Sequence, residues 1–242
     1  MKTPPTVTEH EWETARQRLL VKEKGLTRAR DALAAERRRM PWVAVDKEYA
    51  FEGTGGKRTL AELFDGRNQL VIYHAMFNPA TASPQTTWTE DSPCFACSFW
   101  MDGIDSQAIH LNHRDVTVAA VAIAPYKKFA AYRERMGWSF PVYSSAGSDF
   151  NFDYHVSFTP EQMKDGKADY NCRVDPVFMS ESPGVSVFLR DGGKIYHTYS
   201  AYARGLDMLN AAYNYLDLVP KGRDEGPMGM MDWLRRRDEY PA

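Results

Sequence analysis

Two stretches of the chain, residues 69–77 and 115–124, are apolar almost without interruption, and polar sequence flanks both. Runs of this length predict strands buried on both faces of a sheet, the pattern of parallel strands covered by helices. Between them, residues 94 to about 108 carry helical character, weakened in the middle by Gly103. Residues 126–136 read as a helix stopped by Gly137. A shorter strand follows at 140–143. Further on, 184–189 and 194–199 alternate as strands about Arg190-Asp191-Gly192-Gly193, a hairpin turn of the Asp-Gly kind. Leu206, Leu209, Ala212, Tyr213 and Leu216 then share one face of a helix over 206–218.

The segments outside this run are of other kinds. Thr8-Glu9-His10-Glu11 has the spacing of a capping box. The charged stretch behind it, with Trp12, Ala15, Leu19, Leu20, Leu26, Ala29 and Leu33 as sparse apolar positions, predicts one or two amphipathic helices, with Gly25 as the break. Residues 41–45 and 49–51 read as short strands, and 59–64 as a short helix. Gly53, Gly55 and Gly56 form a turn; Gly56-Lys57-Arg58 lacks the residues of a phosphate loop. Residues 78–93 are a loop, and 144–182 an irregular insertion or lid. Its Phe150, Phe152, Tyr154 and Phe158 either cover the site or form a satellite core. The expected organisation is a helical extension over 1–40, a domain over 41–220 and a partly disordered tail over 221–242. Strand, helix, strand, helix, strand, insertion, hairpin, helix is the order a thioredoxin-like α/β fold requires: a mixed sheet with a C-terminal hairpin and helix.

Composition narrows function mainly by exclusion. The 242 residues are 43% hydrophobic and 26% charged, an ordinary globular mix, and the formal charge of −2 gives no electrostatic case for nucleic acid or an anionic membrane. The basic runs at Arg37–Arg39 and Arg235–Arg237 lie near acidic residues and read as solvated faces. No apolar run reaches the roughly 20 residues of a spanning helix, and none follows Met1-Lys2-Thr3-Pro4-Pro5, so the expectation is a cytoplasmic protein.

Three cysteines are too few for a disulfide scaffold. Two of them form Cys94-Phe95-Ala96-Cys97, where a loop meets a helix. Free amides and the helix dipole stabilise a thiolate there, so Cys94 is the expected attacking sulfur and Cys97, one turn in, the resolving one. Glu90 and Asp91 beside the pair oppose a strongly depressed thiol pKa. Pro183, just ahead of the 184–189 strand, stands where a cis-proline would face the cysteines. A soft-metal site, copper held by Cys94, Cys97 and His74, is the alternative, as are two inert thiols. Cys172 and the pair His110 and His113 read as unreactive loop residues, and His155 and His197 as packing. No cofactor is required by the exchange reading, and its partner would be a thiol or disulfide substrate. A third reading is a non-catalytic assembly protein, a homo-oligomer joined through the N-terminal helices.

Several segments carry a resemblance. Cys94-Phe95-Ala96-Cys97-Ser98-Phe99 with Met101-Asp102-Gly103, Tyr132 to Trp138, Ser144 to Phe150, Arg190-Asp191-Gly192-Gly193, His197-Thr198-Tyr199-Ser200 and Arg237-Asp238-Glu239-Tyr240 resemble the bacterial thioredoxin-like family called domain of unknown function 899, from about Glu9 to Tyr240. The resemblance implies a thioredoxin-like fold and little about reaction. Thioredoxins carry Gly-Pro between the cysteines and Trp before them; Phe95-Ala96 and Pro93 stand here, which implies a different thiol pKa and redox poise.

Overall fold

The computed structural model describes residues 3–226 and 231–241. It divides into two compact units, Met1–Trp42 and Val43–Ala242. The first is built on a single helix, α1 (Glu9–Arg37). Its N-terminus is the expected capping box: Thr8 accepts from the Glu11 amide, and Glu11 reaches back to the Thr8 amide at 2.9 Å. Gly25 does not break it. A helical glycine costs about 1 kcal/mol relative to alanine, and the good helix formers around it absorb that.

The second unit opens with β1 (Val43–Ala44), β2 (Ala50–Gly53) and β3 (Gly56–Thr59), the last two joined by the Thr54-Gly55 turn. The central motif then runs β4 (Gln69–His74), α2 (Phe95–Asn112), β5 (Val116–Ala122), α3 (Tyr126–Met136) and β6 (Val142–Ser144). The insertion holds α4 (Phe150–Asp153), α5 (Pro160–Asp165), β7 (Lys167–Tyr170) and β8 (Arg173–Pro176). The hairpin β9 (Gly184–Asp191) and β10 (Lys194–Tyr202) follows, then a 3-10 turn over Ala203–Leu209 and α6 (Ala211–Leu216). The main sheet runs β1-β10-β9-β4-β5-β6-β2-β3. β4, β5 and β6 are parallel, and β9 and β10 are antiparallel to their neighbours. A parallel β-α-β unit with an antiparallel hairpin beside its first strand, in the order β10-β9-β4-β5, is the thioredoxin-like arrangement.

Alternation along the central strands divides the core. Tyr73, Val118, Ala120 and Ala122 face one side, where Cys97, Trp100 and Met101 of α2 and Phe129, Tyr132 and Met136 of α3 cover them. Leu70, Ile72, Ala119 and Val121 face the other, against Leu63, Phe64, Phe51 and Phe150. The insertion is more ordered than its composition implies. Thr159 and Gln162 form a second capping box at α5, and Asn171 and Cys172, both at positive φ, make the two-residue turn between β7 and β8. Asparagine tolerates that conformation without the glycine that normally advertises it. The expected 206–218 helix is split, the 3-10 turn giving way to α6 at Asn210, whose side chain caps it. Part of the expected disordered tail, residues 227–230 and 242, lies outside the described residues; Leu234 beyond them is buried in the core.

Candidate functional site

Cys94 is the N-cap of α2. Its amide donates to Met76 O at 2.9 Å, which ties the helix start to the chain leaving β4. Its carbonyl accepts from the Ser98 amide at 2.9 Å and from Ser98 Oγ at 3.1 Å; the same hydroxyl pairs with Tyr132 at 2.9 Å. Cys97 lies one turn further in, and its Sγ accepts from the Met76 amide at 3.3 Å. Both thiols are free and buried, at 3% and 1% exposure.

The two sulfurs are electrostatically unequal. Cys94 is pulled down to about 6, chiefly by a hydrogen bond from the Cys97 thiol. Burial opposes this, while the Thr87 hydroxyl and the amides of Cys97 and Ala96 assist it. Thr87 Oγ1 is buried and pairs with nothing else, so a thiolate gives it an acceptor. Cys97 is pushed well up by burial and by the neighbouring Cys94 charge, although Tyr73 and the Met76 amide favour its thiolate. One of the two carboxylates expected to oppose a low Cys94 value, that of Asp91, is offset. Asp91 is exposed and paired with Lys128 Nζ at 2.8 Å, and that ammonium also donates to Glu90 O at 2.7 Å.

Pro183 and both cysteines line one cavity of about 330 Å3. The expected cis bond is absent: among the described residues every peptide is trans, so Pro183 reaches the cavity by the path of the strand entry itself. Tyr170, at the end of β7, fixes that path. Its hydroxyl donates to Pro183 O at 2.8 Å and accepts from the Ala203 amide at 3.0 Å. Ala203 also lines the cavity and has a φ of +47°, a conformation costing a side-chain-bearing residue about 1 kcal/mol. The insertion thus braces the cavity wall and supplies part of it through Met179 and Ser182. Its Phe150 and Tyr154 belong to the main core on the far side of the sheet, and of the four aromatics only Phe158 sits in a small cluster apart, with Ala168 and Val177.

His74 is not with the cysteines. Tyr73 turns to the α2 side and meets Cys97, so pleating sends His74 to the opposite face, among Phe150 and Tyr154. There Nε2 pairs with Ser186 Oγ at 2.9 Å, Ser186 with Ser200 at 2.9 Å, and Ser200 with His197 Nε2 at 2.7 Å. Burial holds the His74 imidazole down to about 3, hence neutral. The copper trio of Cys94, Cys97 and His74 is therefore not assembled, because the sheet separates its members. Among the described residues no three His, Cys, Asp or Glu side chains group as metal ligands. Cys172 is exposed at its hairpin turn.

Three residues at or near the site carry no local signal in the sequence. Tyr73 is hidden in an apolar run, and Tyr170 in the insertion. Arg236, read as part of a solvated basic run, is buried instead; it donates to Pro93 O at 2.7 Å and pairs with Glu239 at 3.2 Å. The carbonyl just before Cys94, left without a backbone partner by the turn into α2, is what draws the guanidinium in.

The sequence matches, over residues 1–240, the family described as "Bacterial protein of unknown function (DUF899)", and the chain belongs to that family. No functionally curated protein matches it. Among solved structures it is similar to the peroxidoxin BcpB from Mycobacterium tuberculosis, with 15% identity and a TM-score of 0.45 over 71% of this chain and 94% of that one. It is also similar to a cysteine-to-serine mutant of peroxiredoxin Q from Xanthomonas campestris, with 13% identity and a TM-score of 0.43 over 73% and 95%. At this distance nothing about the chain's chemistry follows from them.

Proposed function

We propose that the protein is a thiol–disulfide oxidoreductase in which Cys94 attacks and Cys97 resolves. The observation that carries this is the asymmetry of the pair: one sulfur at a helix N-cap held toward thiolate, its neighbour one turn in held as thiol, both on a cavity that Pro183 lines. The sequence of events follows from it. The Cys94 thiolate attacks a substrate sulfur and forms a mixed disulfide, releasing a thiolate. That removes the Cys94 charge and the bond Cys97 gave to it, two of the three causes that held Cys97 protonated. The Cys97 proton then leaves for the released thiolate or water, and its sulfur displaces the second thiol to close a Cys94–Cys97 disulfide. The test is single-turnover oxidation of the reduced full chain carrying Cys172→Ser, followed by mass. The parent loses two hydrogens, Cys97→Ser stops at a mixed disulfide on Cys94, and Cys94→Ser does not react. Equal oxidation with and without Cys94 would sink the assignment.

A second role rests on α1. The helix buries no residue of its own, and Trp12, Leu19, Leu26 and Leu33 recur on it at intervals of seven, all exposed. Ala15 and Ala29 stand three positions after Trp12 and Leu26, with Lys22 and Glu36 at the matching positions after Leu19 and Leu33, so the stripe is a seven-residue apolar repeat on one line of the helix, and its natural partner is the same stripe of a second copy. Full-length Leu19→Lys/Leu26→Lys should sediment at half the mass of the parent; an unchanged mass would remove the pairing.

A further inference from the structure

The cavity beside Cys94 says what can reach the sulfur. We propose that the disulfide on which the pair acts is a small molecule with an apolar substituent, bound in this cavity, and not a disulfide of a folded protein; this rests on the exchange reading above. Cys94 is 3% exposed and Cys97 1%. A sulfur so buried is not available to a disulfide presented on a protein surface. The substrate group has to enter, and the cavity that both cysteines line, about 330 Å3, holds a small ligand.

The lining selects among small ligands. Tyr73, Met76, Trp100, Met179, Pro183 and Leu206 give the wall its large aromatic and apolar surfaces, with Thr87 and Ser182 as the hydroxyls that also line it. The polar atoms of the large residues are already committed. Trp100 Nε1 donates to Leu206 O at 2.9 Å, the Tyr73 hydroxyl meets Cys97, and Pro183 O is taken by Tyr170. The charges at the rim cancel only as a group of four: Arg204 pairs with Asp207 at 2.7 Å, and Arg223 bridges Asp207 at 3.1 Å and Asp217 at 2.9 Å. Among the described residues that line the cavity, no cation is left unpaired for the carboxylates of a peptide such as glutathione. The methionines give a wall that adapts to alkyl and aryl shapes alike.

The reaction balances within one turnover. The substrate R–S–S–R loses its S–S bond and gains two protons and two electrons as two RSH. Cys97 gives up its proton, water supplies the second because Cys94 reacts as a thiolate, and the two sulfurs are oxidised to their disulfide. A dithiol reductant returns the pair to the reduced state.

Four probes test this on the reduced full chain carrying Cys172→Ser: dibutyl disulfide, bis(2-hydroxyethyl) disulfide, glutathione disulfide and insulin. Each rate of Cys94–Cys97 oxidation is divided by the rate of the same probe with free 2-mercaptoethanol, so that sulfur reactivity cancels. Dibutyl disulfide should exceed the two polar small disulfides by at least about tenfold, the worth of burying two methylenes, and insulin should not oxidise the pair. Met179→Asp, which sets a charge in the apolar wall, should shrink that ratio to about twofold or less; Leu206→Ser serves if circular dichroism shows the first variant misfolded. Glutathione disulfide or insulin reacting as fast as dibutyl disulfide would overturn the proposal and leave exchange standing. A ratio that survives both wall variants would overturn it too. Oxidation by no probe at all would remove the exchange reading itself.

Discussion

His74 and Glu181 show how buried polar residues are sorted by their partners. His74 lies within the chain His74–Ser186–Ser200–His197, on the face of the sheet away from the cysteines. Ser186→Ala leaves a buried imidazole nitrogen unpaired and should cost about 1–3 kcal/mol in denaturant unfolding, with the alkylation rate of Cys94 unchanged. A change in Cys94 reactivity would couple the two faces. Glu181 is 2% exposed, with Ser157 at 2.9 Å and Asn78 at 3.5 Å as its partners. Burial raises its carboxyl to about 8. A raised folded value means that its contribution to stability is fully present below the unfolded value near 4.5 and is lost as pH rises toward 8. Glu181→Gln keeps both hydrogen bonds and should remove that decline, so the variant gains on the parent by a few kcal/mol between pH 5 and 8. Parallel stability curves for the two proteins over that window would show that the carboxyl is ionised in the folded chain.

At the scale of elements, the strands and helices with strong local signals form as their residues dictate. β4 and β5 follow from continuous apolar runs, and α3 ends where Gly137 takes a φ of +66°. The β7–β8 hairpin was not legible, because its turn is Asn171-Cys172 and its strands show little apolar alternation. Yet it contributes the residue that shapes the cavity. Tyr170→Phe removes the bonds to Pro183 and Ala203 together. The expected result is weaker saturation by a small disulfide, roughly tenfold, with the midpoint of the Cys94 alkylation profile unmoved. A shifted midpoint would mean that Tyr170 acts on the sulfur and not on the wall.

Over the whole molecule, what the sequence conceals is separation. The cysteine pair and its helix start are readable locally. The groups that complete the surroundings are not: Arg236 reaches Pro93 from the far end of the chain, and Lys128 neutralises Asp91 from α3. Which face His74 takes was equally hidden. Pleating separates it from Tyr73, but with both faces of β4 buried no polarity pattern says which of the two meets α2. Segments on which the family resemblance rests converge here. Asp102 accepts from Trp138 Nε1 at 2.8 Å and faces Arg237 at 3.4 Å, and Arg135 pairs with Asp238 at 2.6 Å. They clasp α3 and the C-terminal segment onto α2, the cysteine helix. The proposed exchange depends on the state of one sulfur in that setting. Its most direct measurement is the pH profile of iodoacetamide alkylation of the reduced Cys172→Ser chain, with the modified residue located by mass. It should be half-maximal near pH 6 with the label on Cys94. A midpoint at the ordinary thiol value of about 8.5, or label arriving first on Cys97, would contradict the assignment.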